Sequence, residues 1–326
     1  MDASAGVWRR RFGFAVVLVL LVLAPPYLPP FLLTLLTQSL IYAILAMGLD
    51  LMLGYTGLSS LGHAAYLGLG AYSVGILATQ HRAGFWTTLV VGVLLAAAVA
   101  AVFGLLALRA TGVYFLMITL ALGMVIWGLA NRWVSLTRGD NGISSIPRPD
   151  LGLPWSFAAA VPYYYLVLAG FILAFAVLRT IVRSPFGHTL VGIRESESRM
   201  RTLGYHVWLH KYIAFLISGA VGGFAGVLWC YYNSYVSPSD LDLAVSIETL
   251  LMVALGGRGT LVGATIGAAV IVLLKNLVSG YTQRWLLILG LVYVGTIRYA
   301  PEGIVGAVKD WVQWARVRLP GLERAR

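Results

Sequence analysis

Charge is what this sequence has least of. Asp, Glu, Lys and Arg make up 11% of its 326 residues while 60% are hydrophobic, against about a quarter charged in a soluble domain. A water-soluble globule is thereby excluded. Lysine is scarcest of all: Lys211, Lys275 and Lys309 are the three, and none follows a glycine. A phosphate-binding loop of the form G-x-x-x-x-G-K-[ST] requires that dipeptide, so this chain holds no Walker-type ATPase site. Any ATP that drives it must be bound by another polypeptide. Acids number 12, and only Asp50 and Glu248 fall inside apolar runs. A charge at mid-membrane costs about 2.5 to 3.5 kcal/mol on insertion scales, and proton pumping needs a relay of such groups, so a proton-coupled carrier has little support. Cys230 is the only cysteine, which excludes an intramolecular disulfide and leaves the redox compartment unread.

Long apolar runs are what the sequence has in abundance. Bounded by charge, Gly or Pro, they lie at 12–29, 31–53, 60–79, 86–108, 113–132, 161–182, 211–232, 244–256, 260–279 and 284–299. A helix needs roughly 20 apolar residues to cross a bilayer, so the predicted fold is all-α and polytopic, with about ten transmembrane helices. The eighth run is short and the third is rich in glycine, which makes each a candidate for a broken or re-entrant segment and lowers the full crossings to between eight and ten. Arg9, Arg10 and Arg11 precede the first run, which ends in Ala24-Pro25-Pro26. It has no small-x-small cleavage site and reads as a retained span.

The net charge of +11 would suggest nucleic acid in a soluble protein. Here the basic residues cluster at the ends of apolar runs, where they set orientation instead, and no nucleic-acid partner is expected. With ten spans and the N-terminus inside, the connectors 54–59, 109–112, 183–210 and 257–259 and the C-terminal tail share the inner side. That arrangement puts 17 Lys and Arg inside and leaves six outside, namely Arg82, Arg132, Arg138, Arg148, Lys275 and Arg284. The excess fixes the expected orientation, with both termini cytoplasmic. Asp50, about one turn from the inner end of its run, reads as an interfacial acid partnered by a backbone amide or an Arg. Glu248 is likewise expected near the outer interface.

Two connectors are long. The outer one, 133–160, carries Thr-Arg-Gly-Asp-Asn-Gly at 137–142, then Pro147, Pro149 and Pro154, which is turn chemistry. The inner one, 183–210, places Leu190, Ile193, Met200 and Leu203 among Arg194, Glu195, Glu197, Arg199 and Arg201. That pattern predicts one or two short amphipathic helices closed by Gly204. His206 and His210 share a helical spacing without a third ligand nearby, a poor metal site. Ser59, four residues before His63, superficially suggests a serine nucleophile and its base, but no orienting third group accompanies the pair. It reads more simply as a polar kink.

Glycines recur at 54, 57, 62, 68 and 70, within Gly54 to Tyr72, too many for a plain helix when each costs about 0.8 to 1 kcal/mol relative to Ala. Close helix packing and a broken segment exposing backbone to a central pathway both account for them. A second cluster, Leu-Gly-Gly-Arg-Gly-Thr-Leu-Val-Gly at 255–263, predicts a tight inner turn in which Arg258 anchors the interface.

At these residues the sequence resembles the LivM-type permease subunits of branched-chain amino-acid ABC importers. The matching elements are the Gly54 to Tyr72 segment, Gly139-Asp140-Asn141-Gly142-Ile143 to Pro147, Ser184-Pro185-Phe186-Gly187 and Ile193-Arg194-Glu195. Leu203-Gly204, Lys211 to Ser218, Ser246 to Gly257 and Pro301-Glu302-Gly303-Ile304 follow in order. Departures are Asp50 and Leu58, where Asn and Gln are more typical, and Met200, Arg201 and Thr202 in the inner loop.

The resemblance implies a transmembrane permease domain over 12–306, between an N-terminal segment 1–11 and a basic tail 307–326, in the bacterial inner membrane. It implies a homologous H-type membrane subunit, two cytosolic ABC ATPases and an extracytoplasmic solute-binding protein. No cofactor is expected in this chain, since ATP and Mg would bind to the ATPases, and no enzymatic activity. Loop 183–210 becomes the coupling element, with Arg194, Glu195, Glu197, Arg199, Arg201 and Gly204 as ATPase contacts. Tyr55, Thr56, Ser59, Ser60 and His63 are the pathway candidates. Permeases for urea or short amides, and a stand-alone secondary carrier, are the alternatives.

Overall fold

The computed structural model describes residues 19–152, 157, 159–282, 284–299 and 303–307. Segment 1–11, the start of the first run, Pro154, Pro301, Glu302 and the tail beyond 307 lie outside the described residues. The chain is a bundle of helices. In order they are α1 (Pro30–Asp50), α2 (His63–Gln80), α3 (Phe85–Ala107), α4 (Val113–Arg132), α5 (Val134–Thr137), α6 (Ala160–Arg183), α7 (Pro185–Glu195), α8 (Glu197–Thr202), α9 (Val207–Asn233), α10 (Leu243–Gly256), α11 (Leu261–Ser279) and α12 (Trp285–Tyr299). Six of these stretches are long and apolar enough to cross a membrane: α1 with its extension to Tyr55, α3, α4, α6, α9 and α11.

Glycine decides how closely these helices approach. On α9, Gly219 and Gly223 lie against Ala100 and Ala96 of α3, while Gly222 and Gly226, a turn-offset pair on the neighbouring face, lie against Tyr66 and the Leu67 carbonyl of α2. Without a hydrophobic drive between helices in lipid, such small-x-x-x-small stripes let backbones meet and gain dispersion contacts. The same device joins α10 to α11, where Gly256 meets the Gly263 carbonyl and Gly267 meets the Met252 carbonyl. Helix α1 lies at the centre and is buried from Ser39 onward. Helices α3 and α4 instead turn Trp86, Leu94, Val102, Tyr114, Met117 and Val125 outward, as a lipid-facing surface requires.

One expectation changes and two gain detail. Residues 54–59 are not a plain surface connector: α1 runs on through a π-helical turn, Leu51–Tyr55, and Gly54, Tyr55, Thr56 and Leu58 are buried. The widened turn absorbs an extra residue where the Gly54 backbone must pass the Gly259 backbone. The outer connector is partly structured, with Ile143 pairing to Val236 in an isolated antiparallel bridge. Glu248 is not left open to solvent. It is buried between α10 and α11, and both its oxygens accept from Lys275 Nζ, at 2.9 and 3.0 Å.

The short eighth run is a short helix. At 14 residues and 1.5 Å per residue, α10 reaches about 21 Å, less than the roughly 30 Å hydrocarbon core. Irregular chain makes up the difference: Leu241 packs on Gly68 and Val236 on Gly75, so residues 236–241 run down beside α2 inside the bundle.

Candidate functional site

Two breaks in helical structure face each other. Residues 57–62 separate α1 from α2, and residues 234–242 separate α9 from α10 apart from the 3-10 turn Pro238–Leu241. Non-helical backbone at membrane depth survives only where its polar groups are satisfied, and here they are. Leu61 N–H donates to Thr119 Oγ of α4 at 3.2 Å, Gly62 N–H to Ser60 Oγ at 3.3 Å and Ala64 N–H to Ser246 Oγ of α10 at 3.0 Å. The Asp242 side chain caps α10 by accepting from Ala244 N–H. Between the breaks Leu61, Ala64 and Ala65 meet Leu120, Gly123 and Met124 of α4 and Leu241, Leu243 and Ser246 across a closed apolar cleft with no room for a water molecule.

Beside the cleft His63 ties three helices together. Ser218 Oγ of α9 donates to the Gly48 carbonyl of α1 at 2.6 Å, so the 2.7 Å contact with His63 Nε2 is a bond that the imidazole donates. The other ring nitrogen, Nδ1, has no partner and is buried. This geometry speaks against Ser59 and His63 as nucleophile and base: a general base must accept from its serine, whereas His63 meets Ser218, not Ser59, and donates to it. His206 and His210 are joined by a local bond, His210 Nδ1 to the His206 carbonyl at 2.9 Å. Among the described residues there is no cluster of three or more His, Cys, Asp or Glu arranged to hold a metal.

The pathway candidates divide into two groups. Tyr55 and Thr56 belong to the end of α1, where Thr56 Oγ donates to the Met52 carbonyl. Ser60 and His63 lie at the start of α2, buried, while Ser59 is half-buried. None of the five lines the cleft. Their neighbours Leu61, Ala64 and Ala65 do, and no local signal marked such small apolar residues.

At the end of the bundle that carries α7 and α8, Asp50 Oδ1 accepts from Gly259 N–H at 2.7 Å, and Oδ2 has no partner. Arg194 of α7 donates to the Gly54 carbonyl through Nη1 and to Glu195 through Nη2 at 2.8 Å. Asp50 therefore has the expected backbone amide and is fully buried within the protein.

Loop 183–210 forms α7 and α8 as expected. Ser184 caps α7 and Ser196 caps α8. Gly204, at φ +87°, closes α8 as Tyr205 N–H returns to the Met200 carbonyl. Glu197 accepts from Lys211 Nζ at 2.6 Å and from Arg201. Partial burial alone would raise its pKa, but the hydrogen bonds and charges of Lys211 and Arg201 outweigh that and hold the carboxyl below its ordinary range. Arg194, Glu195, Arg199, Arg201 and Gly204 are exposed, and Glu197 is half-buried.

Comparison with known proteins gives a consistent result. A family model described as branched-chain amino acid transport system / permease component matches residues 31–297. The chain is 32% identical over 291 residues to the high-affinity branched-chain amino acid transport system permease protein LivM of Escherichia coli K12, covering 82% of this chain and 68% of that protein. It is 31% identical, with the same coverage, to LivM of Salmonella typhimurium LT2. The probable branched-chain amino acid transport permease protein LivH of Methanocaldococcus jannaschii is 27% identical over 146 residues, 42% of this chain and 45% of that protein. No solved structure matches the chain.

Proposed function

Because the chain belongs to the branched-chain amino acid transport permease family, we propose that it is one membrane half of an ATP-driven importer for branched-chain amino acids. It is a multi-pass membrane protein and a transport permease, not an enzyme. The second half of the membrane core is a homologous permease, a reading supported by the similarity to both LivM and LivH proteins. Two cytosolic ATPases bind the ATP and Mg that this chain has no loop to hold. An external solute-binding protein delivers the amino acid. The excess of Lys and Arg on the α7–α8 side supports a bacterial inner-membrane topology with that side and both termini in the cytoplasm.

In this reading the permease makes and breaks no bonds. It offers two discontinuous helices and a closed apolar cleft between them, and broken helices near the middle of a bundle are where transporters place their pathways. ATP acts by biasing one of two membrane conformations through contacts that differ between them. The observation that carries the reading is the continuous family match over 31–297, which takes in both breaks and the α7–α8 loop. Uptake of labelled leucine and labelled urea by the assembled system in proteoliposomes tests it. ATP-dependent leucine uptake is expected; uptake of urea alone would overturn the substrate assignment.

A further inference from the structure

The six charged and glycine positions of loop 183–210 do not all face the same way. Arg194, with 36% of its side chain exposed, turns back onto the bundle. Its guanidinium donates to the Gly54 carbonyl, and its stem passes over Gly57, where an added methyl would sit 3.0 Å from Arg194 Cγ. A methyl on Gly259 would stand 3.3 Å from Arg194 Nη1. Gly259 is itself bonded to Asp50, so one side chain of α7 touches both the π-helical end of α1 and the turn between α10 and α11.

Glu197 does the equivalent for α8. Its partner Lys211 is only 8% exposed, in the first turns of α9. Further along α9, Ser218 bonds to Gly48 of α1 and receives the His63 bond from α2. Glu195 and Arg201 instead leave 64% and 68% of their side chains in solvent, and nothing lies within 4 Å of a methyl placed on Gly204.

We propose that Arg194 and Glu197 are transmission struts and not ATPase-docking contacts. Arg194 carries a displacement of α7 to the break after α1 and to the 257–259 turn, and Glu197 carries a displacement of α8 to α9. Docking falls to Glu195, Arg199 and Arg201. The chemistry suits this division. A charge-assisted bond from a planar guanidinium to a carbonyl is directional and stiff, and a load path needs stiffness, whereas Glu195 and Arg201 pair only with neighbours on the same loop and, like Arg199, stay exposed to solvent on the other side. The glycines at 57 and 259 are then the clearance that lets Arg194 reach both segments at once, while Gly54 gives room to the Gly259 backbone and Asp50. The proposal rests on the ATP-driven importer reading given above for its motor, but not for its geometry.

The test uses the complete complex of permease pair, ATPases and binding protein, with Arg194→Met, Arg194→Lys and Glu197→Gln compared with Arg199→Ala. Arg194→Met is expected to retain the ATPase subunits through affinity purification, yet to lower leucine taken up per ATP hydrolysed at least tenfold. Arg194→Lys, which keeps a donor, recovers part of the ratio. Hydrogen-exchange protection at 54–60 and 257–260 falls at least tenfold in Arg194→Met and is unchanged in Arg199→Ala. Loss of the ATPases from Arg194→Met or Glu197→Gln, or unchanged protection at those segments, would overturn the strut assignment. A wild-type complex that imports no leucine with ATP would instead contradict the importer reading, and the exchange measurement would still decide the struts.

Discussion

Asp50 is a carboxylate placed where a charge is expensive, and what it touches accounts for its being there. One oxygen accepts from Gly259 N–H at 2.7 Å and the other has no partner. Replacing it with Ala leaves the half-buried Gly259 N–H without its acceptor, a loss of about 1 kcal/mol. Asn keeps the acceptor and removes the charge. Thermal unfolding in detergent should therefore show Asp50→Ala clearly destabilised and Asp50→Asn close to wild type; equal losses would contradict the role given to Gly259. The Glu248–Lys275 pair allows a second prediction. Lys275→Met strands a buried carboxylate, which for a broken buried pair costs about 3 to 5 kcal/mol. The double variant Glu248→Gln/Lys275→Met should recover most of it by the same measurement, because both charges are then gone. If the double variant is no better than the single one, the pair is not the source of the loss.

Among the elements, the α2–α9 and α10–α11 contacts are set by backbone approach and not by side-chain fit. A valine at Gly226 would overlap the Leu67 carbonyl, and the helices would have to part. Gly226→Val is expected to abolish the folded monomer peak in size-exclusion chromatography, whereas Gly290→Val, on α12 where nothing lies within 4 Å of an added methyl, should leave it intact. The α8–α9 tie is tunable by pH. The Glu197 carboxyl is held below its ordinary range, chiefly by Lys211 and Arg201 against the opposing effect of burial. A depressed carboxylate stabilises the fold above its unfolded pKa and loses that contribution as pH falls through its folded pKa. Proteolysis within 196–206 should thus be slow and flat at neutral pH and accelerate only below the ordinary carboxylate range; in Glu197→Gln it should be fast throughout. The helices themselves were legible, since apolar runs, Pro30, Pro185, Ser184 and Gly204 mark their ends by local chemistry. The breaks were only half legible. Glycine density flagged 54–72, but the descent of 236–241 beside Gly68 and Gly75 is a tertiary fact with no local pattern. Partners such as Ser218 for His63 and Lys211 for Glu197 lie 155 and 14 residues away, and a single sequence carries no trace of such pairings.

For the whole molecule, the absence of a lysine after any glycine and the scarcity of intramembrane acids exclude a Walker-type motor and disfavour a proton relay within this chain. The described residues form a bundle with a central α1, two facing breaks and the α7–α8 loop anchored to α1 and α9. Family membership supplies the context in which such a bundle works, and the contacts of Arg194 and Glu197 supply the route proposed above for an external motor. The most direct test is to reconstitute this chain alone and within the full complex, and to measure ATP hydrolysis and labelled leucine accumulation in both. Neither activity is predicted from the single chain under ATP or under a proton or sodium gradient, and both from the complex with ATP. Hydrolysis by the chain alone, or leucine accumulated by it on an ion gradient, would contradict the account.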